Sequence, residues 1–289
     1  MRRSVSARVF LLLLSGAAAL SAAKPTADEI VRMHLAEGLN GAVLPTGQMR
    51  DIRGAAVVTT PAKAAGALAG SFRLTSTGVS SRLTMQFRTD LYESEEWGTD
   101  GQEVEIGFAQ PRTSSRSAVG IFLWVNKAIV GEGLIGGVLN ARWPLLNLAA
   151  RDAKVSYDGV KKIDGRELHR LRYRAKQRQG PLEVFVFVEP ETYRHVATVY
   201  TTSQAQGMGA TPETSSQQQE LVFRLEEWFS DFERFGAVIL PKTWTLRYER
   251  SGNTTSEWKY ELKLDSFEER EQRPAGSGRS ASLISPFIG

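Results

Sequence analysis

The chain has 289 residues, with 36 Lys and Arg against 32 Asp and Glu, a formal net charge of +4 and no cysteine. Without thiols there is no disulfide staple, no cysteine nucleophile and no zinc–cysteine or iron–sulfur site, so stability has to come from packing. Three of the basic residues, Arg2, Arg3 and Arg8, fall in the first 23 positions; beyond them 33 basic residues meet 32 acidic ones, a balance that offers nucleic acid no electrostatic footprint.

Residues 1–23 are predicted to be a secretory signal peptide. A basic start, MRRSVSAR, leads into the apolar run VFLLLLSGAAAL and the small residues Ser21 and Ala23, with cleavage after Ala23. The run from Val9 to Leu20 is shorter than the roughly 20 apolar residues of a spanning helix, so the mature chain is expected to be exported and soluble. Residues 24–270 are expected to form a single domain, and 271–289, EQRPAGSGRSASLISPFIG, a flexible tail.

Residues 26–39, TADEIVRMHLAEGL, read as a short amphipathic helix: Thr26 and Glu29 form a capping box, Ile30, Met33, His34 and Leu35 share a face, and Gly38 is a stop. A β rhythm follows. The Ala/Gly stretch 62–70 reads as a loop. In SRLTMQFRTDL, Leu83, Met85, Phe87 and Leu91 oppose Arg82, Thr84, Gln86, Arg88 and Asp90; in EWKYELKL, Trp258, Tyr260, Leu262 and Leu264 oppose charged neighbours. Period two with one apolar side predicts a sheet with one dry face. Further strands are predicted at 103–108, 118–125, 153–158, 166–175, 182–188, 193–201, 220–229 and 242–250. Asp164-Gly165 and Glu189-Pro190-Glu191 supply tight turns, which makes the sheet antiparallel.

Two segments break the pattern. LEVFVFV at 182–188 is apolar on both sides, with Phe185 and Phe187 opposite Leu182, Val184, Val186 and Val188. KAIVGEGLIGGVLNARWPLLNLAA at 127–150 is the longest apolar stretch after the leader and reads as a helical hairpin broken at Trp143-Pro144. The polar, low-complexity stretch 203–219 reads as a loop.

No catalytic constellation emerges. Gly131-x-Gly133-x-x-Gly136 matches the dinucleotide fingerprint as a string, but the antiparallel sequel lacks the parallel βαβ context the fingerprint requires, so no cofactor is expected. His34, His169 and His195 show no ligand spacing, and no metal is expected. Asp100-Gly101 and Asp158-Gly159 read as turns, and Glu93, Glu95, Glu96, Glu103 and Glu105 as a solvated edge. WFSDFERF at 228–235 reads as hairpin core or cavity wall.

Three phrases resemble the periplasmic outer-membrane lipoprotein-sorting, or LolA-like, proteins: ADEIVRMHLAEGL; KVSYDGVKKIDGRELHRLRYRAK followed by VFVFVEPETYRHVATVY; and FSDFERFGAVILPKTWTLRYE, with Asp231, Phe232, Gly236 and Pro241 in its hairpin pattern and Phe232 where a tyrosine is expected. The resemblance implies a mainly β (α+β) fold, a curved antiparallel sheet forming an unclosed barrel with helices filling the concave face. It implies a non-catalytic periplasmic carrier of a lipid or an acylated lipoprotein, a monomer exchanging cargo with membrane-bound donor or acceptor proteins, with no nucleic acid partner. On apolarity alone, the lid and cavity residues are Trp124, Ile129, Leu134, Ile135, Val138, Leu139, Trp143 and Leu146, with Phe185 and Phe187. The alternative is a sensing or protein-interaction module of the same fold with a solid core; an exported hydrolase has only dispersed carboxylates to support it.

Overall fold

The computed structural model describes residues 24–40, 48–61, 66–89, 92–176, 180–204, 221–251 and 256–271. The leader at 1–23, residues 205–219 of the polar stretch and the tail from residue 272 lie outside the described residues.

Helix α1 (Ala27–Met33) begins where the sequence says it should. The Thr26 hydroxyl accepts from the Glu29 amide at 3.2 Å, and the Glu29 carboxylate accepts from the Thr26 amide at 2.8 Å. The helix widens into a π-helical turn, His34–Gly38, before the sheet begins.

The strands are β1 (Gln48–Thr59), β2 (Ala67–Ser76), β3 (Ser81–Thr89), β4 (Tyr92–Thr99), β5 (Val104–Ile106) and β6 (Lys154–Ile163). They continue as β7 (Arg166–Arg174), β8 (Glu183–Val188), β9 (His195–Gln204), β10 (Leu221–Phe235), β11 (Val238–Ser251) and β12 (Ser256–Glu271). All pair antiparallel in one sheet of order β5-β4-β3-β2-β1-β12-β11-β10-β9-β8-β7-β6. The first and last strands pair in the middle, Gln48 opposite Glu271, and the outer edges of the end strands β5 and β6 have no strand partner among the described residues, so the barrel does not close. The predicted fold class stands.

Alternation decides which side is dry. Ile52, Ala56 and Val58 of β1, Phe72 and Leu74 of β2, and Leu83, Met85 and Phe87 of β3 line the concave face. Opposite them on that face are Leu225 and Phe229 of β10, Trp244 and Leu246 of β11, and Tyr260, Leu262 and Leu264 of β12. All belong to one buried cluster. The strand apolar on both sides explains itself by register. Val184, Val186 and Val188 face the concave core, whereas Phe185 and Phe187 pair with Val199 and Ala197 in a second, convex cluster with Leu168, Val196, Trp228 and Phe232. The Arg170 and Arg172 guanidiniums lie over the Phe185 ring at 4.7 and 5.1 Å and roof that cluster.

Four sequence expectations are corrected. Residues 118–125 form a helix, α2 (Ala118–Val125), not a strand: the Ser117 hydroxyl caps it by accepting from the Gly120 amide at 2.8 Å, and an unbroken apolar run carries no period to tell the two apart. Residues 127–150 are not a helical hairpin. They make one turn of helix, α3 (Ala128–Gly131), 3₁₀ turns at Gly137–Leu139 and Pro144–Asn147, and a last turn, α4 (Leu148–Arg151). Gly133, Gly136 and Gly137 all have positive φ, which ends any helix there. Residues 67–70 belong to β2 rather than a loop, and Asp158-Gly159 is a bulge inside β6 rather than a turn. Asp164-Gly165 turns the β6–β7 hairpin as expected, both residues at positive φ.

Close strand crossing needs small residues. A β-carbon on Gly54, at the β1–β12 bulge, would stand 1.9 Å from the Lys263 carbonyl oxygen and 2.7 Å from the Phe72 ring. Gly54→Ala should therefore destabilise the protein by about 3 kcal/mol or more, an overpacking cost against immobile backbone. A chemical denaturation midpoint unchanged from wild type would contradict this.

Candidate functional site

The segment joining the two open edges, β5 to β6, folds back into the hollow of the sheet. Every residue from 133 to 145 is buried. Irregular backbone in that position needs partners for its N–H and C=O groups, and the concave face supplies them from charged side chains. Arg50, almost wholly buried on β1, donates to the carbonyls of Val138 at 2.8 Å and Leu139 at 3.4 Å while pairing with Glu269 at 3.2 Å. Glu227 on β10 accepts from the Gly136 amide at 2.8 Å, the Trp244 indole at 3.0 Å and the Tyr200 hydroxyl at 2.6 Å. The Ser76 hydroxyl accepts from the Ala141 amide at 2.9 Å. The segment is a plug fastened at one end of its turns by a cation and at the other by a carboxyl group.

Aromatic packing completes the attachment. The His195 ring stacks on Trp143 at 4.6 Å and leans on Phe229 at 4.7 Å. Gly137 sits against it so closely that a β-carbon there would lie 2.5 Å from His195 Cε1, at a φ of +47°. His34, from the turn after α1, approaches with ring centroids 6.4 Å apart and bonds the Tyr193 carbonyl at 2.8 Å through Nδ1. Two histidines without sequence spacing are thus brought together, fully buried. Burial holds His34 down at about 4 and His195 well below its ordinary 6.5, so both rings are neutral. Among the described residues no group of His, Asp and Glu side chains is placed to hold a metal ion.

Glu95 departs from the solvated edge expected of its neighbours. It is buried on β4, accepting from the Trp97 indole at 3.0 Å, the Tyr260 hydroxyl at 3.1 Å and the Tyr92 hydroxyl. Burial raises its pKa.

The gap between the two open edges is spanned by α3. Gly131 lies next to Val104 of β5, and Glu132 accepts from the Tyr173 hydroxyl of β7 at 2.7 Å. On the β6–β8 side of this gap is a cleft of about 400 Å³. Its apolar lining is Ala128, Leu134, Tyr173, Leu182 and Val184, and its charged lining is Lys154, Arg172, Arg174 and Lys176 with Glu132, Asp152 and Glu183. Arg172 pairs with Glu183 at 3.5 Å and Lys176 with Asp152 at 3.2 Å. Lys154 and Arg174 stand directly opposite each other across β6 and β7, and among the described residues neither has an acidic partner. Like charges in that relation destabilise a sheet.

The residues singled out on apolarity separate into four places. Ile129, Leu134, Ile135, Val138, Leu139 and Trp143 are buried in α3 and the plug, and Leu134 also faces the cleft. Leu146 is partly buried at the plug's end. Phe185 and Phe187 are on the convex side, away from the plug. Trp124 is on the outer surface of α2, 50% exposed. Arg50, Glu95, Glu227 and the His34–His195 pair were not singled out. A charged residue in an alternating strand carries no mark of burial, although Arg50 and Glu227 both fall in step with the apolar face of their strands.

The buried carboxyl and imidazole groups give stability opposite pH dependences. Burial raises Glu227 from 4.5 to about 7, so its contribution is full below pH 4.5 and is lost as pH rises through 7. His34 is lowered from 6.5 to about 4, so its contribution is full above pH 6.5 and is lost as pH falls through 4. A difference curve isolates the first: the stability of wild type minus that of Glu227→Gln should decline by about 3 kcal/mol between pH 4.5 and 7. Thermal unfolding across that range checks it, and a flat difference would refute the buried-carboxyl account.

No family model matches the chain, and no curated protein matches it. Among solved structures it is similar to a LolA superfamily protein from Nitrosomonas europaea, with 10% identity and TM-score 0.45 over 85% of this chain and 94% of that one. It is also similar to a putative outer membrane lipoprotein-sorting protein domain from Vibrio parahaemolyticus, with 10% identity and TM-score 0.43 over 83% and 92% of the two chains. A third is a DUF1329 family protein from Desulfovibrio piger, with 13% identity and TM-score 0.38 over 83% and 90%. The structure itself is a twelve-stranded antiparallel sheet that does not close among the described residues.

Proposed function

We propose that this is an exported, periplasmic, non-enzymatic carrier for a hydrophobic cargo, a lipid or the acyl chains of a lipoprotein, taken up at the cleft beside α3. On this reading residues 1–23 are removed, and 24–270 act as one LolA-like half-barrel domain with a tail beyond it.

The observation that carries the reading is the chemistry of the cleft. Its volume of about 400 Å³ is within the ordinary range of small-ligand sites. Its wall of Leu134, Tyr173, Leu182 and Val184 is continuous with the concave core, and Lys154 and Arg174 stand unpaired in its charged lining. Apolar and cationic lining together suit an acyl chain ending in an anionic head. Each methylene buried contributes about 0.8 kcal/mol, so even a short length of chain is held against water.

A second reading has its own support. The plug at 133–145 is buried throughout and bonded to the sheet, which is what a protein-interaction module with a closed interior requires.

One experiment separates them. Lipid extracted from the purified protein is identified by mass spectrometry, and uptake of a fluorescent fatty acid is titrated. The carrier reading expects bound lipid or saturable uptake, weakened about tenfold or more by Leu182→Asp at the cleft wall, with the far-ultraviolet circular dichroism unchanged. No lipid and no uptake by wild type would refute it and leave the interaction module.

A further inference from the structure

Helix α2 has no polar face. Its eight residues, AVGIFLWV, bury Val119, Phe122 and Leu123 inward, with Phe122 against Tyr248 at 5.6 Å. The outward face is Ile121, Trp124 and Val125, exposed by 53, 50 and 67%. Phe108, 38% exposed, extends the same patch. A helix on the surface of a soluble domain ordinarily turns polar residues to water, and a grouped exposure of large apolar side chains marks a contact surface.

The charges around the patch say what it contacts. From residue 107 to residue 131 the chain has no Asp or Glu, but it has Arg112, Arg116 and Lys127. The Arg116 guanidinium lies over Phe108 at 4.4 Å and over Trp124 at 5.7 Å, and the Lys127 ammonium lies 6.0 Å from the Trp124 ring. Arg116 also donates from Nε to the Ile106 carbonyl at 3.0 Å, which fixes it beside the rings. Neither Arg116 nor Lys127 has an acidic partner among the described residues, and Arg112 approaches Glu93 only at 3.9 Å. Apolar side chains at the centre, an indole among them and unpaired cations at the level of the rings are the arrangement of a surface seated in a lipid interface. There the aliphatic groups enter the acyl boundary, the indole lies at headgroup depth and the cations meet lipid phosphates.

We infer that the outer face of α2, with Phe108, Arg116 and Lys127, docks the protein reversibly on the surface of an anionic phospholipid bilayer. No described helix is long and apolar enough to cross a membrane, and α2 at eight residues lies on the surface rather than in it. The charge argues for lipid over a protein partner: a bilayer presents phosphate at every point around an apolar interior, whereas a protein would have to place carboxylates opposite each cation. The inference stands apart from the carrier reading, since none of these residues except their neighbour Ala128 reaches the cleft.

Flotation of the full chain with vesicles tests it, using phosphatidylcholine alone and phosphatidylcholine mixed with phosphatidylglycerol. The protein is expected to float with the mixed vesicles, less so as salt is raised, with tryptophan emission shifting to the blue. The double variant Ile121→Ser, Trp124→Ser should lose vesicle affinity by about tenfold or more. Arg116→Gln with Lys127→Gln should remove the preference for phosphatidylglycerol. Ile121, Trp124 and Lys127 are on the outer surface, so the serine variant should keep the wild-type melting temperature and fatty-acid uptake; Arg116→Gln also gives up the bond to the Ile106 carbonyl, so the glutamine variant is read by its lipid preference. Absence of flotation, or flotation that the serine variant leaves untouched, would overturn the inference. So would a dimer in sedimentation that the serine variant dissolves while vesicles go unbound, which would assign the patch to a second copy of the chain.

Discussion

An antiparallel sheet of twelve strands that curves without closing has a hollow to fill, and here the chain fills it with short helices and, over 133–145, with turns. Turns leave backbone amides and carbonyls unspent, and in the dry interior each one lacking a partner costs heavily. Arg50 and Glu227 answer that need from opposite sides of the β1–β12 seam, one donating to Val138 and Leu139, the other accepting from Gly136. Remove that arrangement and the Val138 and Leu139 carbonyls and the Gly136 amide lose their side-chain partners in the dry interior. Burying the two groups is itself unfavourable. Glu227 bears the cost by holding its proton near neutrality, and Arg50 by its contact with Glu269.

The connection between the two open edges, residues 107–153, passes through three environments. It runs outside as α2 with a greasy, basic outer face, bridges the edges as α3, then descends into the core as the plug before emerging at α4. The cleft belongs to the middle of these, lined by Ala128 and Glu132 on one side and by residues of β7 and β8 on the other. A group entering there meets the plug at Leu134 and the sheet at Val184 at once. Exterior face, opening and interior are consecutive in sequence, separated by only a few residues of backbone.

Much of this was legible. Capping at Thr26 and Glu29, the alternation in β3 and β12 and the Asp164-Gly165 hairpin are local signals, each with one physical meaning, and the structure uses each as written. Strands joined by short turns made the sheet antiparallel; that it curves and stays open was implied by the family resemblance alone. What was not legible depended on tertiary context. AVGIFLWV has no period, so helix and strand were equally open until Ser117 proved to be a cap. The glycines of 131–137 were seen, but not that three of them take positive φ and replace a hairpin by turns. Glu95 and Glu227 each sit beside another acid, Glu96 and Glu226, that is less buried; alternation puts Glu227 in step with Leu225 and Phe229, but a carboxylate in step with apolar residues is not by itself a sign of burial. Phe185 and Phe187 were rightly marked as facing away from the valines, yet what covers them is arginine from the adjacent strand, which no pattern announces.

The meeting of β1 with β12 has a kinetic side. Nearly every other ladder joins neighbours in the chain and needs only a short loop to form, whereas Gln48 finds Glu271 only when almost the entire polypeptide is available. Contacts of such long sequence separation slow folding. A chain delivered from its N-terminus would have β1 to β4 assembled as a meander with one long, unsatisfied border of amides and carbonyls. That border would wait for the final strand, exposed to the wrong partners in the interval.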